Sequence, residues 1–155
     1  MTTETTRAVA HASFTLERDF PVPPERVFAA FADPDEKAGW FGGGDGWQHT
    51  EVACDFRVGG REINEGVFHG ETVSRFEAVY TDIVANERIV LAYDMWIDGR
   101  HISTSIAAYE FVPTATGTHF VHTEHGIHLD GFDDGSMREE GTRGLLDQLE
   151  AYLLR

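Results

Sequence analysis

Two hydrophobic periods divide this chain. Between Ser13 and Phe20, Phe14 and Leu16 alternate with polar residues and Phe20 closes the run, which predicts a first strand. Pro21, Pro23 and Pro24 stop it. Pro24 suits the first turn of a helix, where its missing N–H costs nothing. Val27, Phe28 and Phe31 then share one helical face, and Asp33-Pro34 ends that helix and begins a short second one through Ala38. From His49 onward the period falls to two. Strands are predicted over 49–55, 60–68, 72–82, 88–97, 101–112 and 118–126. The breaks are Val58-Gly59-Gly60, His69-Gly70, Ala85-Asn86-Glu87, Asp98-Gly99 and Ala115-Thr116-Gly117. Such close turn signals predict an antiparallel meander. After a loop at Asp130–Gly135, Ser136 and Glu139 have capping-box spacing and open a helix over 136–154. Leu145, Leu149 and Tyr152 share one face of it, and Leu146 and Leu153 widen the stripe.

This order predicts an α+β fold. A curved antiparallel sheet wraps around the long C-terminal helix, and two short helices follow the first strand. A single long helix has one place to bury its stripe, the concave face of the sheet. One helix cannot fill that space, so an internal cavity is expected. Residues 1–12 are polar and expected to be a flexible N-terminus. Residues 13–155 read as one domain, without repeat or linker.

Composition narrows the function. The chain has 155 residues, 41% of them apolar, with 11 Phe and 3 Trp, enough to bury a core. Lys and Arg number 12 against 27 Asp and Glu, a formal charge of −15. That surface repels phosphate backbones and anionic bilayers, so nucleic acid is not an expected partner. No stretch approaches a membrane span, and Met1–Ala12 carries no cleavable signal pattern. Cys54 is the single cysteine. No internal disulfide is possible, and a cytoplasmic location is expected.

The element order resembles the helix-grip fold of the START-like (SRPBCC) superfamily, and within it the bacterial proteins named after the activator of Hsp90 ATPase. The residues that carry the resemblance are Arg18 before Val22-Pro23-Pro24-Glu25-Arg26-Val27-Phe28, then Asp33-Pro34 and Trp40-Phe41-Gly42. Further along come Asp55-Phe56-Arg57-Val58-Gly59-Gly60, Asn86-Glu87-Arg88-Ile89-Val90, Tyr109-Glu110-Phe111 and Gly117-Thr118. The last helix adds Gly141-Thr142 and Leu145-Leu146-Asp147-Gln148-Leu149. The likeness runs from about Phe14 to the C-terminus and is specific for fold, not for function. It implies a cavity protein, since members bind lipids, hormones or polyketides and a few catalyse cyclisation or dehydration. Chaperone activation belongs to eukaryotic relatives that carry an extra domain. Relatives usually have Gly-Trp where this chain has Gly141-Thr142, which implies a roomier or more polar pocket.

Candidate chemistry follows from strand parity. Trp40, Phe41 and Trp47 bracket a glycine cluster, read as an aromatic loop at the pocket mouth. Phosphate binding does not fit, because a strand rather than a helix follows and no lysine is adjacent. His119, His122, His125 and His128 are spaced by three, so His119 and His125 face away from His122, and His128 is expected beyond the strand. They do not converge, and no metal is expected. Phe120, His122 and Glu124 share a face that should point inward. The last two form an acid/base pair or a hydrogen-bonded core pair. Glu62 is a second cavity acid or a solvated edge carboxylate. Candidates for catalysis are therefore Glu124, His122 and Glu62. Cys54 has no evident local base.

Leu91, Tyr93 and Met95 share one face. Ser103, Ser105, Ala107 and Tyr109 share another, opposite Ile102, Thr104 and Ile106, and which of these points inward is open. Gly141 is expected on the sheet-facing side with Leu145, for close packing or for ligand room. Arg138 is the only basic residue expected near the inward acids. The expected ligand-binding set is therefore Trp40, Phe41, Trp47, Glu62, Leu91, Tyr93, Met95, Ser103, Ser105, Tyr109, Phe120, His122, Glu124, Arg138, Gly141 and Leu145. The leading expectation is binding of a small amphipathic or aromatic molecule, neutral or cationic rather than anionic, with no cofactor. An acid/base enzyme of polyketide cyclase or dehydratase type is the alternative. A co-chaperone-like interaction module is a third. Open sheet edges make a homodimer the expected assembly.

Overall fold

The computed structural model describes residues 6–42 and 44–155. Residues 1–5 and Gly43, parts of the expected flexible terminus and of the glycine loop, lie outside the described residues. β1 (Val9–Phe20) leads into α1 (Pro24–Ala32) and α2 (Pro34–Lys37). β2 (Trp47–Cys54), β3 (Arg61–Phe68), β4 (Thr72–Val84), β5 (Arg88–Ile97), β6 (Arg100–Pro113) and β7 (Thr118–Leu129) follow, and then α3 (Ser136–Leu153). The strands form one seven-stranded sheet in the order β1-β7-β6-β5-β4-β3-β2, antiparallel throughout. This is the helix-grip arrangement that the sequence predicts. Among the described residues no helix is long and apolar enough to cross a membrane.

Two boundaries move outward together. β7 continues through Gly126 to Leu129, and its extra length gives Val9–Ala12 backbone partners, from Val9 opposite Leu129 to Ala12 opposite Gly126. Residues 9–12 are therefore strand, not frayed terminus. Asp130 secures the corner by accepting from the Ala8 N–H and from Arg7. His128 consequently lies on β7, facing inward and buried.

Local chemistry explains the meander. Asp98 and Gly99 both take positive φ, 50° and 79°. Their backbone twist matches that of the flanking strands, so two residues suffice to join β5 and β6. Register shifts occur at His49/Glu51, Tyr80/Asp82 and Met95/Trp96. Each bends its strand and helps wrap the sheet. The last also settles the open parity on β6. Ser103 and Ser105 face inward and are buried, Ile106 is exposed, and the bulge lets Ile102 turn inward beside Ser103.

Aromatic rings fill one end of the wrapped sheet. Phe31 of α1 stacks on Phe120 with centroids 5.5 Å apart, and meets Trp40, Tyr109 and Phe111 at 4.9, 5.0 and 5.6 Å. α3 lays its C-terminal half on this cluster. Its buried residues are Thr142, Leu146, Leu149, Tyr152 and Leu153, so the stripe centres on Leu146 and Leu149, and Leu145 sits at its margin. Burying each of those two leucines contributes about 2 kcal/mol. The expected capping box does not form, because the helix begins at Ser136 itself, after Gly135 at φ 107°. Asp133 does the capping. Its carboxylate accepts from the backbone N–H groups of Gly135, Met137 and Arg138.

Candidate functional site

The aromatic cluster fills only that end. Between the inner sheet face and the N-terminal half of α3 lies a cavity of about 490 Å³. Phe41, Trp47, Phe76, Met95, Ile102 and Tyr109 supply its apolar wall. The indole of Trp47 fits against β3 because Gly42 and Gly66 make room: a Cβ there would fall 2.6 and 2.2 Å from it. Gln148 of α3 donates to the carbonyls of Trp40 (2.6 Å) and Gly42 (3.2 Å), tying the aromatic loop to the helix. Gly141 and Gly144 also line the cavity, and a Cβ on either would meet nothing within 4 Å. They leave space and are not packing contacts.

A hydrogen-bonded polar cluster interrupts this wall. His122 Nε2 lies 3.0 Å from Glu124 Oε1, and the Tyr93 hydroxyl donates to Glu124 Oε2 at 2.5 Å. Arg138 reaches in from the first turn of α3. It donates to the Tyr93 hydroxyl (2.9 Å), Ser105 Oγ (3.3 Å) and Ser103 Oγ (2.6 Å), and lies 3.6 Å from Glu124. Burial pushes the Glu124 carboxyl up. The His122 bond and charge, the Tyr93 hydroxyl and the Arg138 charge together outweigh it and hold the carboxyl below its ordinary range. Burial and the Glu124 charge push the phenols of Tyr93 and Tyr109 up, so both stay protonated. With Nε2–H donated to Glu124, a neutral His122 ring carries its lone pair on Nδ1, which bonds to no described residue.

A second polar cluster sits behind the wall. Lys37 of α2 is turned inward, 5% exposed, with Nζ 2.8 Å from Glu62 Oε1 and 4.4 Å from the centre of the Phe41 ring. The Tyr80 hydroxyl also donates to Glu62. Burial and the Glu62 charge raise the pKa of the Cys54 thiol, which disfavours the thiolate. Arg138 is therefore not the only cation near the inward acids. Lys37 neutralises Glu62, and Arg138 with His122 serves Glu124.

Of the residues expected at the site, Phe41, Trp47, Tyr93, Met95 and Tyr109 reach the cavity, as do His122, Glu124, Arg138, Gly141 and Leu145. Trp40 does not, since its indole N–H is bonded to the Ala30 carbonyl within the core. Leu91 and Phe120 lie in the packed core, with 1% and no exposure. Ser103 and Ser105 stand one layer back and hold Arg138. Glu62 is inward and buried but does not line the cavity, and its partner Lys37 lies against the Phe41 and Phe76 rings. On β7, His119 faces outward between Asp19 and Glu17. The sequence reading omits Asn64 and Phe76, although Asn64 shares parity with Glu62 on β3. It also omits Asp133 and Gln148, whose positions depend on how α3 docks. Among the described residues no three metal-ligating side chains cluster.

Fold and cavity together define a START-like helix-grip domain, a ligand-binding class. Residues 21–154 match the family described as activator of Hsp90 ATPase homolog 1-like protein, and the chain belongs to that family. A Rhizobium leguminosarum protein is 38% identical, over 97% of this chain and 99% of its own, with a TM-score of 0.92. A Rhizobium loti protein is 43% identical, over 94% of this chain and 99% of its own, with a TM-score of 0.86. An AHSA1-like protein from Aeromonas hydrophila, 22% identical, shares the fold over 92% of each chain at a TM-score of 0.71. No curated protein matches the chain.

Proposed function

We propose that the protein binds a small neutral molecule, amphipathic or aromatic, in the cavity beneath α3. The observation that carries this reading is a largely apolar, aromatic-walled space of about 490 Å³ in which the Arg138 and Glu124 charges face each other. That volume suits a molecule of two to four rings. Charge balance favours a neutral ligand. An anion would find only Arg138, already engaged by Glu124, Tyr93 and the two serines. A cation would displace or face the same guanidinium. An unpaired inward acid would favour a cation, and Lys37 removes that possibility at Glu62. A thermal-shift screen of matched amine, amide and carboxylate amphiphiles at neutral pH tests the reading. The amides should stabilise most, and strongest stabilisation by the carboxylates would defeat it.

The second reading is acid/base catalysis of cyclase or dehydratase type. It is favoured by one observation, that His122 lines the cavity while Glu124 orients its ring. In it His122 takes the proton, Glu124 holds the tautomer and Tyr93 donates. Glu62 has no part, since it is buried against Lys37 and does not line the cavity. Turnover of an enolisable aromatic ketone that disappears in His122→Gln, with binding retained, would establish this reading over simple carriage.

A further inference from the structure

Asn64 sits on the inward row of β3 between two residues with clear tasks. Glu62 pairs with Lys37 and Tyr80, and Gly66 makes room for Trp47. Asn64 is 5% exposed, lines the cavity and bonds through its side chain to no described residue. The only fully enclosed side-chain polar atom left without a partner among the described residues is His128 Nδ1. The Asn64 amide is therefore not sealed in the core but opens on the cavity. An amide held among aromatic rings without a partner destabilises the fold, and a leucine of similar shape would not.

The strand register shows where this group lies relative to the polar cluster. Asn64, Phe76, Met95 and Ser103 sit side by side on β3, β4, β5 and β6. Ser103 is the residue that holds Arg138. Three strand spacings, about 14 Å around the curve, separate the two polar points. Phe76 and Met95 lie between them.

We propose that Asn64 is a second recognition point, and that the ligand is an elongated aromatic molecule with a hydroxyl or carbonyl at each end. One end meets the Arg138–Tyr93–Glu124–His122 cluster. The other meets an amide that both donates and accepts, which suits a hydroxyl in particular. This inference rests on the reading of the cavity as a ligand site.

The test is calorimetric titration with biphenyl, its para-phenol and its para,para′-bisphenol. The native protein should bind the bisphenol about tenfold more tightly than the monophenol, the gain of one well-formed hydrogen bond. Asn64→Leu should reduce that ratio to about one, leave biphenyl itself bound at least as tightly, and unfold at or above the native temperature without ligand. Asn64→Ser, smaller and still polar, should retain part of the preference and provides the same comparison if the leucine variant does not fold. Equal affinity of the two phenols for the native protein would overturn the assignment of Asn64 while leaving the cavity as a ligand site. So would a ratio that survives Asn64→Leu. Binding of none of the three would count against the cavity reading itself, and the inference would fall with it.

Discussion

Each of the two inward carboxylates is held by its own cation, and the two pairs differ in what they can do. Lys37 and Glu62 are almost fully enclosed. Removing one partner of such a pair leaves a buried charge, whereas removing both leaves little to compensate. Lys37→Met should therefore lower unfolding free energy by about 3–5 kcal/mol. The double change Lys37→Met with Glu62→Leu should recover most of that, as read by urea denaturation. Near-additive losses would show that the pair is not coupled.

Glu124 belongs to the cavity, and its folded pKa is depressed. The unfolded carboxyl binds protons more readily, so the contribution of Glu124 is present above its ordinary value of 4.5 and is lost as pH falls through its folded value. Glu124→Gln should remove this acid-side loss, with its carbonyl accepting from only one of Tyr93 and His122 and its NH2 facing the other. His128 has the same sign in a higher window. Burial and the Arg138 charge depress its imidazole below the ordinary 6.5, against the opposing charges of Asp133, Glu124 and Asp134. Its contribution is full above about pH 6.5 and fades below it. Thermal melts between about pH 7 and pH 5 should thus decline less steeply in His128→Gln than in the native protein. An unchanged slope would argue against a buried neutral His128.

At the scale of elements, α3 divides into a packing half and a cavity half. The boundary falls near Leu145. Beyond it Leu146, Leu149 and Leu153 are buried, while Gly141 and Gly144 border open space. A methyl group at Gly144 meets nothing, so Gly144→Ala should stabilise the protein by about 1 kcal/mol through helix propensity alone. A Tm that falls instead would mean the glycine is there for close packing. These elements also show what a sequence can carry. Alternation located every strand, and parity placed His122 and Glu124 inward, since Phe120 had to be buried. Parity misleads where a bulge intervenes, and Met95/Trp96 turns Ile102 to the same side as Ser103. It also says nothing of how a four-residue helix is rotated. The short α2 carries Lys37 into the core, although an isolated lysine in a polar segment reads as solvated.

At the scale of the molecule, the wrapped sheet and its helix make a container whose aromatic end is filled and whose other end is hollow. The order of elements was enough to anticipate that container, because one helix cannot fill a curved seven-stranded sheet. The identity of the wall was less legible. Trp47 becomes wall only because two glycines far apart in sequence, Gly42 and Gly66, leave room for its ring. Asp133 and Gln148 enter only once α3 has docked.

The central claim is that the hollow end exists to hold a small molecule. Native mass spectrometry of protein purified without detergent tests it most directly, comparing the native chain with Gly141→Trp, whose indole would project into the unoccupied space beside the helix. The native protein should carry a discrete adduct in the mass range of a two- to four-ring compound, or take one up from a neutral aromatic library, and the tryptophan variant should do neither. Equal behaviour of the two proteins, both bare or both loaded, would contradict the account.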